Sequence, residues 1–440
     1  MNKNDTIELT VTGASGDGNG VAHAPDGRVV FVAGALIGER VTARILKPGK
    51  NALWAKATEI LEASSERIAP ECPYFPRCGG CDYLHMSYRE ELRLKLERVN
   101  DAFVRIGKIS LTADRIVHAE SRSDCRNKAI YNLANAPDGV KIGFYQERSH
   151  RVIGIDRCML QSDFSARTLT AVRDWISAAA ISVYDEAARK GLIRKIFTRG
   201  TQIVIVANGK PRSVEELTAA VLNACPECTS VLWNELRGDT NAALGDRFYT
   251  LYGELRLSVP LCGLRFLVSP DSFFQVNVPQ AERLYELALN LAELSAADTA
   301  LDLYCGIGTL TLLLAKRCAS VTGIEISRAA IDNAAENAAL NAVTNAQFVC
   351  ADLNATQELP PADAVFLDPP RKGLPPELIG AIAAANPGRV IYISCDPATL
   401  ARDLKLFSEH GYTADRAECV DMFPCTHHVE TVVRLNKNSR

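Results

Sequence analysis

The chain has 440 residues, of which 47% are hydrophobic and 23% charged, a composition typical of folded globular domains that excludes a largely disordered protein. Its formal net charge of −3 gives no overall attraction to polyanions, so a nucleic-acid partner would have to bind local basic patches. No apolar run reaches the roughly 18 residues of a transmembrane helix, and the polar N-terminus lacks a signal-peptide core. We therefore expect a cytoplasmic protein without membrane contact, built from about three domains.

Residues 1–62 are predicted to form a small OB-like β-barrel. Short segments of alternating apolar and polar residues (IELTVT, RVVFVAG, RVTARIL, WAKATEIL) are separated by turns rich in Gly, Asp and Pro. A barrel of this size suits a nucleic-acid module, although a barrel that only packs against its neighbour would give the same pattern. Basic residues in it could follow an RNA backbone: Arg40, Arg44, Lys47, Lys50 and Lys56.

Residues 63–267 are predicted to form a central α+β domain that opens with a cysteine motif. Cys72, Cys78 and Cys81 have the spacing C-x5-C-x2-C, which lets one loop wrap around a metal. Cys158 is the expected fourth ligand, because Cys125 stands in a charged stretch. Four thiolates suit a 4Fe-4S cluster or a tetrahedral zinc ion, and the spacing does not separate the two.

Three other patterns in the central domain are less specific. A helical pattern near 88–106 could pack on this domain or on the C-terminal one. Cys225 and Cys228 form a lone C-x2-C pair, which we interpret as structural. Residues 187–214 carry basic but no acidic side chains, which predicts either a phosphate track or a solvated face. The basic residues are Arg189, Lys190, Arg194, Lys195, Arg199, Lys210 and Arg212.

Residues 268–440 are predicted to form a doubly wound α/β domain. Helical patterns alternate with apolar strand patterns (TALDLYC, SVTGIEI, AQFVC, AVFLD, RVIYIS), as in a parallel sheet that is covered on both faces. Ligands of such sheets bind at the carboxyl ends of the strands. The side chains that follow these strands are therefore the candidate site.

The first of these strands runs into a glycine turn. Gly306 and Gly308 let the backbone approach a ligand, and Glu325 ends the next strand, where a carboxylate can accept hydrogen bonds from a ribose diol. A nicotinamide dinucleotide and S-adenosylmethionine both fit these features. Thr311 stands where a dinucleotide-binding turn has its third small residue, which favours S-adenosylmethionine.

The other strands end in two acids and a thiol. Asp352 follows the third strand, within reach of an adenine edge, and Asp368 ends the fourth in an Asp-Pro-Pro-Arg segment. Cys395 ends the fifth strand, and a thiol there can simply be buried. Beside a methyl donor it has a specific use, because carbon 5 of a pyrimidine becomes nucleophilic once a thiolate has added at carbon 6.

This chemistry also requires a base and an unstacked substrate. A base must remove the carbon 5 proton before the thiolate can leave, and Glu430 in the segment HHVET is the candidate, with a solvated surface glutamate as the alternative. The pyrimidine must leave its stack to reach the thiol. In the segment SPDSFFQVN at 269–277, the two Phe could stack on a base or belong to the core.

Together these motifs resemble the RNA uracil-5 methyltransferase family. LDLYCGIGTLTL, LDPPRKG, SCDPATLARDL and DMFPCTHHVE occur in the order of that family, and the resemblance covers nearly the whole chain. It implies methylation of carbon 5 of a uridine in RNA through a covalent adduct with Cys395, with Glu430 as the base. It also implies an N-terminal TRAM domain and a C-terminal Rossmann-like class I methyltransferase domain.

The resemblance also implies cofactors and their ligands. The methyl donor would be S-adenosyl-L-methionine, and a 4Fe-4S cluster rather than zinc would be held by Cys72, Cys78, Cys81 and Cys158. Asp368 would lie near the uracil as well as the methyl donor. The implied cofactor pocket contains Gln275, Tyr304, Gly306, Gly308, Glu325, Asp352 and Asp368. Two departures from the family pattern are Tyr304, where many relatives have Phe, and Thr309, where Asn is common.

The substrate is less closely defined than the reaction. Family members that modify transfer RNA often lack the barrel and the cysteines, so the resemblance favours 23S ribosomal RNA, with transfer RNA as the alternative and a monomer as the expected state. Cytosine-5 methyltransferases differ in placing their cysteine beside the Asp-Pro motif. An exocyclic-amine methyltransferase would not need Cys395. An iron-sulfur RNA-binding protein with a silent methyltransferase domain is the alternative from another class.

Overall fold

The computed structural model describes residues 1–137, 139–355 and 358–438. The described strands form four sheets of six, seven, two and eight strands. No helix in the described ranges is both long and apolar enough to cross a bilayer.

The N-terminal domain is a six-stranded sheet in which the last two strands along the chain are the long ones. Its strands are β1 (Thr6–Thr10), β2 (Gly13–Ala14), β3 (Gly20–His23), β4 (Val29–Ala33), β5 (Arg40–Pro48) and β6 (Ala52–Glu62), paired in the order β1-β5-β6-β4-β3-β2. Alternate residues along β5 are buried, as the sequence pattern predicted. The register between β5 and β6 shifts at three points, and such irregularities bend strands around a core.

A connecting segment follows the N-terminal sheet. It contains α1 (Tyr88–Ala102), a π-helical turn (Phe103–Gly107) and β7 (Ile116–Val117). α1 begins after Ser87, whose side chain accepts a hydrogen bond from the N–H of Glu90.

The central domain is a seven-stranded sheet that packs its helices on one face. Its elements are β8 (Lys128–Ala136), β9 (Gly139–Tyr145), β10 (Val152–Gly154), α2 (Asp163–Ala178), β11 (Ile193–Arg199), β12 (Gln202–Ala207), α3 (Val214–Ala224), β13 (Ser230–Glu235) and β14 (Arg247–Gly253). The strand order is β10-β9-β8-β11-β12-β13-β14. Cys225 and Cys228 are buried in the core between helices and sheet, as expected of a structural pair.

The C-terminal domain is a sheet with five parallel neighbouring strands, as predicted for a doubly wound fold. Its elements are β15 (Leu257–Leu261), β16 (Leu264–Val268), α4 (Val278–Ala292), β17 (Thr299–Leu303), α5 (Thr309–Leu314), β18 (Ser320–Glu325), α6 (Arg328–Leu340), β19 (Ala346–Cys350), β20 (Ala364–Leu367), α7 (Pro376–Ala385), β21 (Arg389–Ser394), α8 (Pro397–Glu409), β22 (Tyr412–Val420) and β23 (Glu430–Lys437). The sheet order is β19-β18-β17-β20-β21-β23-β22-β7. Apolar layers cover both faces, which buries every residue of β20.

The connecting segment and the β15–β16 hairpin both pack on this C-terminal sheet. β7 pairs in parallel with β22, and Val99 and Phe103 join the apolar layer that contains α8. The hairpin buries Phe266 in the opposite layer, and the backbone N–H of Leu267 donates to Asn337 of α6 at 2.8 Å. The helix predicted near 88–106 therefore packs on the C-terminal domain, because its apolar face finds its partners there.

Candidate active site

The turn between β17 and α5 adopts a backbone that opens space at the end of the sheet. Tyr304, Gly306 and Gly308 have φ values of 68°, 54° and 81°. A Cβ at Gly308 would lie 3.1 Å from the Cβ of Ala334 and 3.1 Å from a ring carbon of Phe348, so this position favours glycine. A Cβ at Gly306 would meet no atom within 4 Å, so the backbone there faces open space that a ligand can enter.

Two predicted cofactor-binding acids lie beside this turn. Glu325 accepts hydrogen bonds from the backbone N–H groups of Gly306 at 3.3 Å and Ser327 at 3.0 Å. Asp352 accepts one from the backbone N–H of Asn354 at 2.9 Å. The parallel pairing of β17, β18 and β19 places these acids along one edge, as predicted. Carboxylate oxygens are hydrogen-bond acceptors, the kind of group that a ligand with hydroxyl or amine donors needs.

Tyr304 and Ile326 add an aromatic ring and an apolar side chain to that edge. Burial raises the pKa of the Tyr304 phenol to about 12, and the nearby Asp352 carboxylate adds to the rise. The Tyr304 hydroxyl is buried without a hydrogen-bond partner among the described residues. Ile326 directly follows Glu325 and is 60% exposed, and the sequence motifs did not single it out.

The pairing of β21 with β23 brings the predicted thiol and the predicted base together. Ser394 pairs with Thr431, so Cys395 and Glu430 occupy the next position along the same antiparallel pair. Cys395 is half-buried, and Glu430 is 4% exposed. The surface alternative for Glu430 is thus excluded by its burial.

Burial sets the charge states of this pair. It raises the pKa of Glu430 to about 8, with a further rise from Asp368 that Arg371 opposes. It raises the pKa of Cys395 to about 11, where Glu430 and Asp368 again add and Arg371 opposes. Asp368, which follows β20, has a pKa raised by burial to about 7. A carboxyl group that titrates near neutral pH is suited to general acid–base work.

Arg371 is a further functional candidate. It lies in the Asp-Pro-Pro-Arg segment, which by itself indicates no role for the arginine. Its carbonyl accepts a hydrogen bond from Thr399 Oγ1 at 3.1 Å, in the first turn of the helix that follows Cys395. Its Nη2 lies 3.3 Å from Nε2 of His428. The Arg371 backbone is thus tied to the thiol segment and its guanidinium to the base segment, and the charge of the guanidinium acts on both Cys395 and Glu430. A guanidinium in that place can stabilise an oxyanion.

Tyr285 is a second residue that the sequence did not reveal. It lies on α4 and is 4% exposed, with its phenol beside the Gln275 side chain and close to Asp368 and Glu430. In the sequence it stands in an amphipathic helix pattern, where a buried core tyrosine gives the same signal.

The loop that precedes α4 is held by the central domain. Arg199 is 1% exposed and donates to the carbonyl oxygens of Ser269 at 2.7 Å and Ser272 at 2.9 Å. Asn127 Nδ2 donates to the carbonyl oxygen of Gln275 at 3.2 Å. Gln275 is itself buried, and its place in the site depends on these contacts from another domain.

The two Phe of this loop have different surroundings. Phe274 is buried against Phe266, with ring centroids 6.3 Å apart. Phe273 is 71% exposed. One ring therefore belongs to the core, and the other is free to stack on a base.

The basic run 187–214 is not a continuous phosphate track, so that prediction is wrong for its central part. Arg194 is buried and donates to three carbonyl oxygens, including that of Gly238 at 2.7 Å. Lys195 Nζ donates to the carbonyl oxygen of Ala242 at 2.7 Å. Together with Arg199, these side chains hold loops in place, because buried cations need hydrogen-bond partners.

Cys72, Cys78, Cys81 and Cys158 line one cavity of 210 Å³. Burial raises the pKa of the thiols of Cys78, Cys81 and Cys158. Cys125 packs against the same apolar cluster but is not among the residues that line the cavity. Across the described ranges, no group of three or more His, Cys, Asp or Glu side chains is arranged to hold a metal ion. The structure thus places the four predicted ligands around one cavity.

Known proteins share this architecture. The family model for tRNA (uracil-5-)-methyltransferases matches residues 252–438, and the TRAM domain model matches residues 2–58. An RNA methyltransferase of Halalkalibacterium halodurans, described as uncharacterized, is 37% identical and is aligned over 99% of this chain and 98% of its own. The chain belongs to the RNA uracil-5 methyltransferase family. It is therefore an RNA methyltransferase, and its N-terminal sheet is a TRAM domain, as predicted.

Other family relatives match over similar lengths. An RNA methyltransferase of Caldanaerobacter subterraneus subsp. tengcongensis, also described as uncharacterized, is 37% identical, with 99% of this chain and 100% of its own aligned. A solved structure of the tRNA (uracil-54, C5)-methyltransferase of Pyrococcus abyssi, in complex with S-adenosyl-L-homocysteine, superposes with a TM-score of 0.81 at 26% identity. That match covers 98% of this chain and 99% of the P. abyssi chain. The fold is thus shared over the full length.

The TRAM domain presents aromatic and basic side chains side by side. Phe31 on β4 pairs with Trp54 on β6, with ring centroids 5.9 Å apart. Lys47 Nζ lies 5.2 Å from the centroid of the Trp54 ring. Arg44 pairs with Lys56 across the neighbouring strands. Stacking rings and cations on one surface are typical of single-stranded nucleic-acid binding.

Proposed function

We propose that this protein methylates carbon 5 of a uridine in 23S ribosomal RNA, using S-adenosyl-L-methionine and a transient bond between Cys395 and the uracil. The observation that carries the proposal is the β21–β23 pairing, which sets the thiol beside a buried carboxyl group at the edge where the glycine turn opens. An exocyclic-amine methyltransferase would have no use for this pair.

The glycine turn fits S-adenosylmethionine. The open space at Gly306 allows close approach to the backbone, Glu325 and Asp352 can accept hydrogen bonds from the ribose and the adenine, and Ile326 offers an apolar contact. The bound cofactor supplies an electrophilic methyl group. Family membership and the S-adenosyl-L-homocysteine complex of the P. abyssi relative support this assignment.

Cys395 and Arg371 would carry the first step. The Cys395 thiol gives up its proton to solvent, and the thiolate adds to carbon 6 of the uracil, which places negative charge on the carbonyl oxygen attached to carbon 4. The Arg371 guanidinium favours the thiolate and can donate to that oxygen. The electron pair returns through carbon 5, which would then bond to the methyl carbon while the bond from that carbon to the sulfonium sulfur breaks and S-adenosyl-L-homocysteine leaves.

Glu430 would complete the reaction. As a carboxylate it takes the proton from carbon 5, the double bond between carbons 5 and 6 re-forms, and the sulfur leaves as a thiolate. A pKa near 8 makes Glu430 a stronger base than an ordinary glutamate and leaves part of it ionised at neutral pH. The product is 5-methyluridine in RNA.

The RNA would contact more than the catalytic domain. The exposed Phe273 lies next to the buried loop residues of the site and can stack on a base that has left its helix. The Phe31 and Trp54 rings with Lys47 offer a second stacking surface on the TRAM domain. Both surfaces favour an unpaired or distorted RNA segment over a regular duplex.

Transfer RNA is the second candidate substrate, because the P. abyssi structure with the same fold is that of a tRNA methyltransferase. The P. abyssi enzyme, a tRNA (uracil-54, C5)-methyltransferase, aligns with this chain over 98% of this chain's residues, so the full architecture is compatible with tRNA. The presence of the N-terminal barrel therefore separates the two substrates less sharply than the resemblance implied.

We further propose a 4Fe-4S cluster in the cysteine cavity. The four thiols surround one apolar cavity of 210 Å³, which has room for a group larger than one ion. A tetrahedral zinc ion is the alternative for four thiolates, and the resemblance to the family's iron-sulfur site favours the cluster. Such a cluster would hold the loop together, because methyl transfer moves no electrons.

Nucleoside mass spectrometry tests the function. Ribosomal and transfer RNA from cells with and without the gene are compared for 5-methyluridine, and loss from the ribosomal pool alone is the expected result. Loss from the transfer RNA pool alone would establish the second candidate. If neither pool changes, and the purified protein fails to bind S-adenosylmethionine, a silent RNA-binding protein replaces the proposal.

Replacement of the thiol tests the chemistry. Cys395→Ala should lower methyl transfer in vitro by at least about 10³-fold with S-adenosylmethionine affinity unchanged, because only the covalent step is lost. Cys262→Ala, on the distant β15–β16 turn, is the matched control and should retain activity. Retained activity in Cys395→Ala would contradict the covalent mechanism.

A further inference from the structure

The cysteine loop, residues 72–85, is hydrogen-bonded to the segment that leads into the catalytic base. The backbone N–H groups of Asp82 and Tyr83 both donate to the carbonyl oxygen of Cys425, at 2.9 and 3.0 Å. The side chain of Asp82 faces His427, whose Nδ1 lies 2.7 Å from Oδ2 and whose backbone N–H donates to the same oxygen at 3.2 Å.

From His427 the contacts continue to the reacting thiol. The His427 and His428 rings have centroids 4.2 Å apart, and His428 Nε2 lies 3.3 Å from Arg371 Nη2. Arg371 in turn acts on Cys395 and Glu430. A series of side-chain contacts therefore runs from the cysteine loop to Arg371, whose charge acts on the two groups of the reaction centre.

The backbone of this segment has separate anchors. Arg98 Nη1 donates to the carbonyl oxygen of His427 at 2.9 Å, and Glu91 accepts from the backbone N–H of Cys425 at 2.7 Å. Both residues belong to α1. The Asp82 carboxylate binds the imidazole of His427 in addition to the backbone N–H of that residue. Loss of that carboxylate would free the ring while α1 still holds the backbone.

We infer that Asp82 and His427 are positioning residues that place Arg371 through His428, so that the cysteine loop controls the reactivity of Cys395. This inference rests on the proposed function and assigns the cysteine loop an effect on the reaction. A disturbance of the loop should slow the covalent step even when the methyl donor is bound.

The first test is a pair of variants, Asp82→Ala and His427→Ala, assayed in the full-length protein under single-turnover conditions. Each should slow methyl transfer by about 10-fold to 100-fold, because small displacements of catalytic groups have effects of that size. The affinity for S-adenosylmethionine should change by less than about twofold. Asp82→Asn should retain part of the rate, since its amide oxygen can still accept from the imidazole.

The second test is the pH dependence of the methyl-transfer rate, which would not change if Asp82 and His427 only stabilised the fold. Arg371 opposes the rise in pKa of both Cys395 and Glu430, so its displacement should move the rate profile of both alanine variants to higher pH. The charged and titratable groups that face this site are Asp368, Arg371, Tyr285, His427, His428, Asp82 and Arg98. In each variant the replaced residue is the one group in this set whose chemistry changes, so a shift of the profile reports the displacement of Arg371.

Glu186→Gln is the matched control, because it removes a carboxylate from a comparable pair. Glu186 Oε2 lies 3.1 Å from Nδ1 of His150 on the surface of the central domain. This variant should keep the wild-type rate and pH profile. The double variant of Asp82 and His427 should be no slower than either single variant, because both act through one series of contacts.

The outcomes separate this inference from the proposed function. A wild-type protein that makes no 5-methyluridine would overturn the proposed function. An active wild type with unchanged rates and profiles in both alanine variants would overturn the inference alone. If Asp82→Ala disturbs folding of the cysteine loop, His427→Ala still decides, since it leaves every residue of that loop intact. Additive losses in the double variant would also contradict the inference.

Discussion

The proposed role of Glu430 as the base depends on where β23 begins. As the first residue of that strand it is buried beside Asp368, and both burial and the neighbouring acid raise its pKa. An exposed glutamate at the same point in the sequence would be too weak a base to take a proton from carbon. Its position at a strand end thus determines its chemistry.

Replacing this carboxyl group by an amide should stall the reaction after methyl transfer. In Glu430→Gln the thiolate can still add and carbon 5 can still attack the methyl group, but the carbon 5 proton has no acceptor. We expect a covalent protein–RNA adduct that persists on a denaturing gel. Glu409→Gln, an exposed residue at the end of α8, should leave no adduct. Turnover of Glu430→Gln at the wild-type rate would refute its assignment as the base.

The same group should make stability depend on pH. The pKa of Glu430 is raised from 4.5 to about 8, so the folded protein holds this proton more tightly than the unfolded chain. Its contribution to stability is present below about pH 4.5 and is lost as the pH rises through about 8. The Tm should therefore fall between about pH 5 and pH 9, and fall less in Glu430→Gln. An equal fall in both proteins would contradict the raised pKa.

At the scale of elements, the β17–α5 turn depends on the absence of side chains. Gly308→Ala adds a Cβ in a left-handed conformation and in close contact with α6 and β19. Gly263→Ala is a matched control, because Gly263 has φ of 72° but nothing within 4 Å of its added Cβ. We expect each to lose about 1–2 kcal/mol of unfolding free energy from the backbone, and Gly308→Ala about 1 kcal/mol more from contact. Denaturant unfolding measures the free energy of unfolding of both variants. Equal losses in the two variants would contradict this expectation and show that the β17–α5 turn relaxes around the added Cβ.

The order of elements in the C-terminal domain could be predicted because each carries a local signal. Apolar strands, helical periodicity and a glycine turn are all visible within about ten to fifteen residues of sequence. Strand ends of a parallel sheet lie together, so the sequence also placed Gly306, Glu325, Asp368 and Cys395 at one edge. Glu430 was predicted as the base because the chemistry requires one, and no local pattern indicated that its strand pairs with the thiol segment.

Long-range contacts account for what the sequence did not show. Arg371 and Tyr285 belong to the candidate site because of neighbours that are far away in the sequence. The sequence around them is equally typical of a surface arginine and a core tyrosine. Arg194 and Arg199 looked like phosphate ligands but donate to carbonyl oxygens of distant loops. A charge run shows which residues are basic and not where their side chains point.

At the scale of the whole molecule, a 4Fe-4S cluster in the cysteine cavity would give the purified protein a colour. Protein purified without oxygen should be brown and absorb broadly near about 400 nm, as iron–thiolate groups do. Cys78→Ser, which removes a thiol that lines the cavity, should abolish the colour. Cys125→Ser should keep it, because Cys125 packs nearby without lining the cavity. A colourless wild-type protein that contains zinc would reverse the assignment.

Because β7 pairs with β22, the chain enters the C-terminal sheet before it forms the central domain. It leaves that sheet after β7 and returns to the C-terminal domain at β15, so the central domain is an insertion anchored at both its ends. Two covalent crossings restrict its rotation far more than one linker would, and a single proteolytic cut would not release it. A fragment starting near residue 252 would leave β22 as an open sheet edge, which favours edge-to-edge aggregation.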